Sequence, residues 1–324
     1  MSGDSDSNLK IATQSFLEST TPIQQSLLGS YVLIYMQVLV GILRRQPRQL
    51  SETIAGFQQT PLYSQWCEVI EQDSDLSQRW TAILDHSDLR TNQACDEYAL
   101  KCHQFYEALI NVLYQTQEGI ELPPAQLQLN QQNLLCSYIL NYIQVLICGL
   151  STHPSELDKA IAAFKNIPLY TQCSETLEQS AERWQRWDST LASEIFTTEA
   201  ECEAYSLACH QLYYELVDDP ISSPVMAPLS PDLRLTYQHW ICSYVLTHIQ
   251  VLISVYHHKP KRLSEAISTF KTTPLYTKCC EVLETSPAAW QRWNSTLTPT
   301  TLTTEAECNA YALACHHLYA EIMG

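Results

Sequence analysis

Glycine is scarce in this chain, seven residues in 324, at positions 3, 29, 41, 56, 119, 149 and 324. No glycine-rich loop can therefore cradle a phosphate, and the Cys-x-x-Cys, paired-histidine zinc and nucleophile-elbow patterns are missing too, which leaves no readable signature of nucleotide-dependent or classical hydrolase chemistry. Basic residues are few, 18 Lys and Arg against 35 Asp and Glu, for a net charge of −17. Such a field repels phosphate backbones and anionic lipid, so nucleic acid and membrane are poor partners and a protein with a basic surface is a better one. The amino terminus, MSGDSDSNLK, lacks the basic and then apolar stretch of a secretory signal. No segment alternates polar and apolar residues with strand composition, so no sheet is expected.

Thirteen cysteines are present, an odd number in a long chain. With no secretory signal this reads as reduced thiols and cytoplasmic residence, although the missing signal does not bear on non-classical export.

What the chain has in abundance is itself. Ser30-Tyr31 returns at Ser137-Tyr138 and Ser243-Tyr244, at offsets of 107 and 106 residues, and the same offsets carry Pro61-Leu62-Tyr63, Gln78-Arg79-Trp80 and Cys102-His103 into the later copies without a gap. A repeat of roughly 107 residues is long enough to bury a core of its own, unlike the short helical repeats that must stack. The expectation is an all-α protein: three tandem copies of a helical bundle with four or five helices each, in a curved array or around a pseudo-threefold axis. The boundaries read as a disordered tail at 1–15, then repeats at 16–118, 119–224 and 225–324. Proline-rich connectors run through Leu122-Pro123-Pro124 and from Asp218 to Pro231.

Each copy opens on an apolar run, such as LLGSYVLIYMQVLVGIL, with Gln37, Gln144 or Gln250 inside it. The run reads as a buried central helix and not as a membrane span, because it is slightly short and carries that amide. Cations (Arg44 and Arg45, His153, or His257 to Lys259) precede the proline that ends it. A short helix follows with Leu50, Ile54 and Phe57 on one face. The next helix opens at Pro61, Pro168 or Pro274, and a long final helix begins near Thr91, Thr198 or Thr304. Thr198 with Glu201 and Thr304 with Glu307 have capping-box spacing, which Ala94 breaks in the first copy.

The densest chemistry lies on that final helix. Cys95, Tyr98, Cys102 and Tyr106, and their counterparts through Cys202 to Tyr213 and Cys308 to Tyr319, fall within a stripe about 80° wide, with His103, His210 and His316 at its edge. One reading is a thiol–imidazole site, in which any metal would use Cys102, Cys209 and Cys315 with His103, His210 and His316. Against it, the two cysteines of each helix stand about 10 Å apart and cannot share an ion, so the stripe reads first as core and no metal, cofactor or catalytic residue is assigned. Arg79-Trp80, Arg186-Trp187 and Arg292-Trp293 set a cation beside an indole, as core anchors or as a peptide-recognition surface. The buried glutamines require partners, for which Tyr98 or His103 and their counterparts are candidates.

The leading functional expectation is a non-enzymatic scaffold or adaptor that presents three related surfaces to protein partners. The alternative is a metal or small-ligand binding protein with one Cys/His/Tyr site per repeat, and a third is an enzyme without a readable motif.

Overall fold

Proline opens ten of the helices, at the first position, where its missing N–H costs no hydrogen bond and its fixed φ suits a helical start. The computed structural model describes residues 21–43, 46–84, 91–115, 124–192, 195–222, 231–297 and 302–323. The expected tail, Arg44, Arg45 and most of the two connectors lie outside them. Among the described residues there are fifteen α-helices and no strand. In chain order they are α1 (Pro22–Leu43), α2 (Pro47–Phe57), α3 (Pro61–Glu71), α4 (Ser74–Leu84), α5 (Asn92–Gln115), α6 (Pro124–Leu150), α7 (Pro154–Phe164), α8 (Pro168–Glu178), α9 (Ala181–Leu191), α10 (Glu199–Ser222), α11 (Pro231–Tyr256), α12 (Pro260–Lys271), α13 (Pro274–Glu284), α14 (Pro287–Leu297) and α15 (Glu305–Met323). The all-α expectation holds, and each sequence copy supplies five helices.

Local sequence sets the helix ends. Thr198 Oγ1 accepts from the Glu201 N–H at 3.2 Å while the Glu201 carboxylate accepts from the Thr198 N–H at 3.0 Å, closing the capping box of α10. Thr304 and Glu307 repeat it on α15 with the same distances. On α5 only half of it survives, the Ala94 N–H to Thr91 Oγ1 bond at 3.1 Å. The short second helices bury the face read from the sequence: Leu50, Ile54 and Phe57, then Leu157, Ile161 and Phe164, then Leu263, Ile267 and Phe270.

The chain divides into two compact units, one running up to Glu118 and taking in the chain from His316 onward, the other Gly119–Cys315. In the first unit α1 is the central element. Its helix comes so close to its neighbours that a Cβ on Gly29 would stand 2.3 Å from Leu109 Cδ2 and 3.1 Å from Trp66, so no larger residue fits without displacement. Trp66 fills the space that this glycine leaves, and meets Trp80 and Phe105 at centroid distances of 5.4 and 5.7 Å. The end of α15 completes the unit: Tyr319 donates to the Leu27 carbonyl at 2.7 Å and Gln24 Nε2 to the Met323 carbonyl at 2.7 Å.

In the second unit α6 and α11 pack on each other, with α10 against both and the short helices around them. The positions of Gly29 and Trp66 are occupied here by thiols, Cys136 facing Cys173 at 3.6 Å and Cys242 facing Cys279 at 3.5 Å. Arg183, 6% exposed, spends its charge on two polar acceptors, the Leu216 carbonyl at 2.7 Å and Asn133 Oδ1 at 2.9 Å. Two helices, Pro22–Leu43 and Gln126–Leu150, are long and apolar enough to cross a membrane by length and composition; 89% and 67% of their most apolar windows are buried within the fold.

Candidate functional site

The stripe on the final helices faces inward. Cys102, Cys209 and Cys315 are fully buried, and Tyr106, Tyr213 and Tyr319 with them. Burial pushes the Cys209 and Cys315 thiols up to about 12 and raises that of Cys102 further, the reverse of what activates a nucleophile. No group of three or more metal-ligating side chains is assembled among the described residues. The Gln-Arg-Trp triplets come apart in space: Trp80, Trp187 and Trp293 are buried, while Arg79 and Arg186 lie at the surface in ion pairs with Asp75 at 2.7 Å and Glu182 at 2.6 Å, and Arg292 is exposed. An indole sealed in this way offers no face to a peptide.

The histidines are buried, His103 at 4%, His210 at 2% and His316 at 3% exposure, and burial lowers the pKa of His103 and His316 to about 3. Two of them share one bonding pattern. His316 Nδ1 meets Tyr31 Oη at 3.0 Å in the first unit, and His210 Nδ1 meets Tyr244 Oη at 3.1 Å in the second. Each histidine thus pairs with the tyrosine of a Ser-Tyr repeat on the opening helix of another copy. The tyrosine one turn further along the final helix packs on the same tyrosine ring, Tyr319 tilted by 39° against Tyr31 at 4.0 Å and Tyr213 stacked on Tyr244 at 4.1 Å. Periodicity identified the face of the final helix but not this partner, because the residue it meets lies in a different copy.

Beside this bond the two units differ. The first unit places Tyr35 against His316 at 4.8 Å and against Phe57 at 4.8 Å. At the matching position the second unit has His248, whose ring stands 4.3 Å from His210 and 4.4 Å from Phe270. Burial lowers the His248 pKa to about 3, and burial followed by the neighbouring His248 holds His210 well below the usual imidazole range, so both rings are neutral at pH 7. His248 Nδ1 has no hydrogen-bond partner among the described residues.

These two imidazoles form the floor of a cavity of about 550 Å³. Four helices wall it, and their sequences grade it from rim to floor. On α10 the lining runs from Glu199 through Glu203, Ser206 and Leu207 to His210; on α12 it runs from Arg262 and Glu265 through Ala266 and Thr269 to Phe270. On α11, Tyr256 lies at the rim, Leu252 below it and His248 at the floor, and the end of α6 contributes Ile147, Cys148 and Ser151. Ser206 is held by Gln144, which donates to the Ser206 carbonyl at 3.0 Å and accepts from its hydroxyl at 2.6 Å. The Gln144 partner is therefore Ser206 and not the adjacent Tyr205. Ala99 and Ala312 stand in its place in the other copies and offer no hydroxyl, while Gln37 bonds back to the Leu33 carbonyl of its own helix at 3.2 Å.

At the rim Arg262 is bonded to Glu199 and lies 5.1 Å over the Tyr256 ring. Glu203 and Glu265 are exposed and have no ion pair among the described residues. The Cys148 thiol on the wall is pushed up to about 12 by burial, which leaves it protonated and unreactive at neutral pH. The sequence signal was faint: His248 interrupts an apolar run, and only proximity to His210 gives it meaning. Comparison with protein-family models, with curated proteins and with solved structures finds no match to this chain.

Proposed function

We propose that the chain is a non-enzymatic binding protein that holds a small organic molecule in the cavity of its second compact unit. The observation that carries this reading is the floor: the buried imidazole of His248, which has no hydrogen-bond partner among the described residues, lines the cavity with its ring. A buried polar group without a partner costs on the order of 1–3 kcal/mol, and a ligand that bonds the imidazole recovers part of that cost. The volume lies within the range of roughly 300–1,000 Å³ usual for small-molecule sites, which pair apolar walls with a few polar groups. This modifies the expectation of one Cys/His/Tyr site per repeat, since the cavity draws on residues that only two copies supply together. The three copies as equivalent modules, and cytoplasmic residence with reduced thiols, belong to the same proposal. A thermal-shift screen of a fragment library tests it: hits should raise the melting temperature of the wild type and lose that effect in Ala266→Trp, which fills the cavity. No hits, or hits equally effective on the variant, would overturn it.

A scaffold reading has its own support. Leu100, Leu207 and Leu313 occupy one repeated position on the final helices and are 38, 43 and 47% exposed, an unusual fate for a leucine present in every copy. On this reading each docks an apolar side chain of a basic protein partner, drawn in by the net charge of −17. Leu100→Asp, Leu207→Asp and Leu313→Asp together would abolish such association and leave helicity intact.

A further inference from the structure

The cavity is graded in charge as well as polarity, and the grading selects a ligand class. Its rim holds three carboxylates, Glu199, Glu203 and Glu265, against one guanidinium, Arg262. Arg262 is already bonded to Glu199, so a ligand anion would have to break that pair, whereas Glu203 and Glu265 have no cation among the described residues. The positive end of α10 is also taken, because the Glu201 carboxylate accepts from the N–H groups of Thr197 at 2.7 Å and Thr198 at 3.0 Å. On the other side α6 ends at Leu150 beside the lining residue Ser151, which brings a negative helix end to the rim; α11 ends at Tyr256, where the positive end of α12 at Pro260 offsets it. The floor carries no charge to oppose this, as both imidazoles are neutral there. Between rim and floor the walls are apolar, through Ile147 and Leu252.

Acidic residues at a rim would not make a site alone. The independent observation is His248, 3% exposed, whose ring lines the cavity and has no hydrogen-bond partner among the described residues. From Glu203 to His210 is seven residues, about 10 Å of helical rise, which sets the scale of the cavity along α10. We propose that the cavity binds an organic ammonium ion with an apolar, ring-sized body and a hydroxyl at its far end. The ammonium sits between Glu203 and Glu265, the body lies against Leu252 and Phe270, and the hydroxyl bonds His248. This rests on the reading of the cavity as a ligand site and narrows it.

Tyramine is the probe, with three relatives that change one property each: 4-ethylphenol lacks the charge, 3-(4-hydroxyphenyl)propionate reverses it, and 2-phenylethylamine lacks the hydroxyl. Titration calorimetry of the full chain at pH 7.5 should rank tyramine first and the propionate last, with tyramine about tenfold tighter than 4-ethylphenol, the worth of one charge-assisted hydrogen bond. Glu203→Gln and Glu265→Gln should each weaken tyramine several-fold while leaving 4-ethylphenol unchanged. His248→Phe should erase the difference between tyramine and 2-phenylethylamine; if that variant melts early, His248→Gln serves the same purpose. Should 4-ethylphenol or the propionate bind as tightly as tyramine, the cationic class is wrong and the cavity remains a ligand site. If none of the four binds and the ring resonances of His210 and His248 stay unmoved, the cavity reading falls as well.

Discussion

The two compact units make the same tyrosine–histidine bond and surround it differently. In the first, Tyr35 and Phe57 pack on His316; in the second, His248 takes the tyrosine's place and the rings of His210, His248 and Phe270 border a cavity. Under the opening helix the contrast recurs in another form. Gly29 and Trp66 fill the first unit, whereas Cys136 with Cys173 and Cys242 with Cys279 fill the second. One framework thus tolerates two ways of dividing the same space, a large side chain against none or two small ones against each other, provided the total volume is kept. A repeated position states the constraint, and a departure from the repeat shows where the constraint was released.

The largest effect should come from breaking the Gly29–Trp66 arrangement. Trp66→Ala leaves a cavity beside a helix that has no side chain to fill it, and should cost about 3–5 kcal/mol by urea denaturation. Cys173→Ala and Cys279→Ala remove a single sulfur each and should cost markedly less. In the second unit Cys173→Trp alone should destabilise by overpacking, and Cys136→Gly added to it should restore much of the loss. Additive costs in that double-mutant cycle would mean the two sites do not share one volume.

Acid should have the next effect, and it should reach both units. His103, His248 and His316 have pKa values lowered to about 3 in the folded state, and an unfolded histidine titrates near 6.5. Below pH 6.5 the unfolded chain binds protons that the folded chain refuses, so stability falls as pH drops, by up to about 1.4 kcal/mol per pH unit for each such histidine, until the folded pKa near 3 is reached. His248→Tyr, which installs the side chain of the first unit, should flatten that slope by the share of one histidine. An unchanged slope between pH 6.5 and 5 would show that His248 is already protonated or solvated in the folded protein.

How far the sequence reached depends on whether a feature is local. Helical class, the proline starts, the capping boxes and the buried faces of the short helices all follow from residues within a few positions of one another, and the structure repeats them. The pairing of His210 with Tyr244 and of His316 with Tyr31 joins residues in different copies, and a helical period says which way a side chain faces but not what it meets. The thiol pairs escaped notice for another reason. A search for residues present in every copy passes over Cys136 and Cys173, because the first copy keeps the volume and changes the chemistry. The cavity was less legible still, since it needs His248, Arg262 and Ser206, each found in a single copy.

Removing the shared bond should give an intermediate effect, equal in both units. Tyr31→Phe and Tyr244→Phe each orphan a buried imidazole nitrogen at nearly the same distance, and each should cost about 1–3 kcal/mol. Unequal costs would show that the cavity lets water reach His210. The smallest effect belongs to the caps. Thr198→Ala and Thr304→Ala should cost about 1 kcal/mol, and Thr91→Ala less, since α5 has only half of the box.

The central claim is that the second unit's departure from the repeat is a ligand site, and a crystal structure of the wild-type protein with tyramine tests it most directly. The account predicts electron density for the ring between Leu252 and Phe270, with the hydroxyl within hydrogen-bond distance of a ring nitrogen of His248 and the ammonium beside Glu203. Density elsewhere on the protein with the cavity empty or filled by ordered water, or a His248 ring turned away from the cavity, would contradict it.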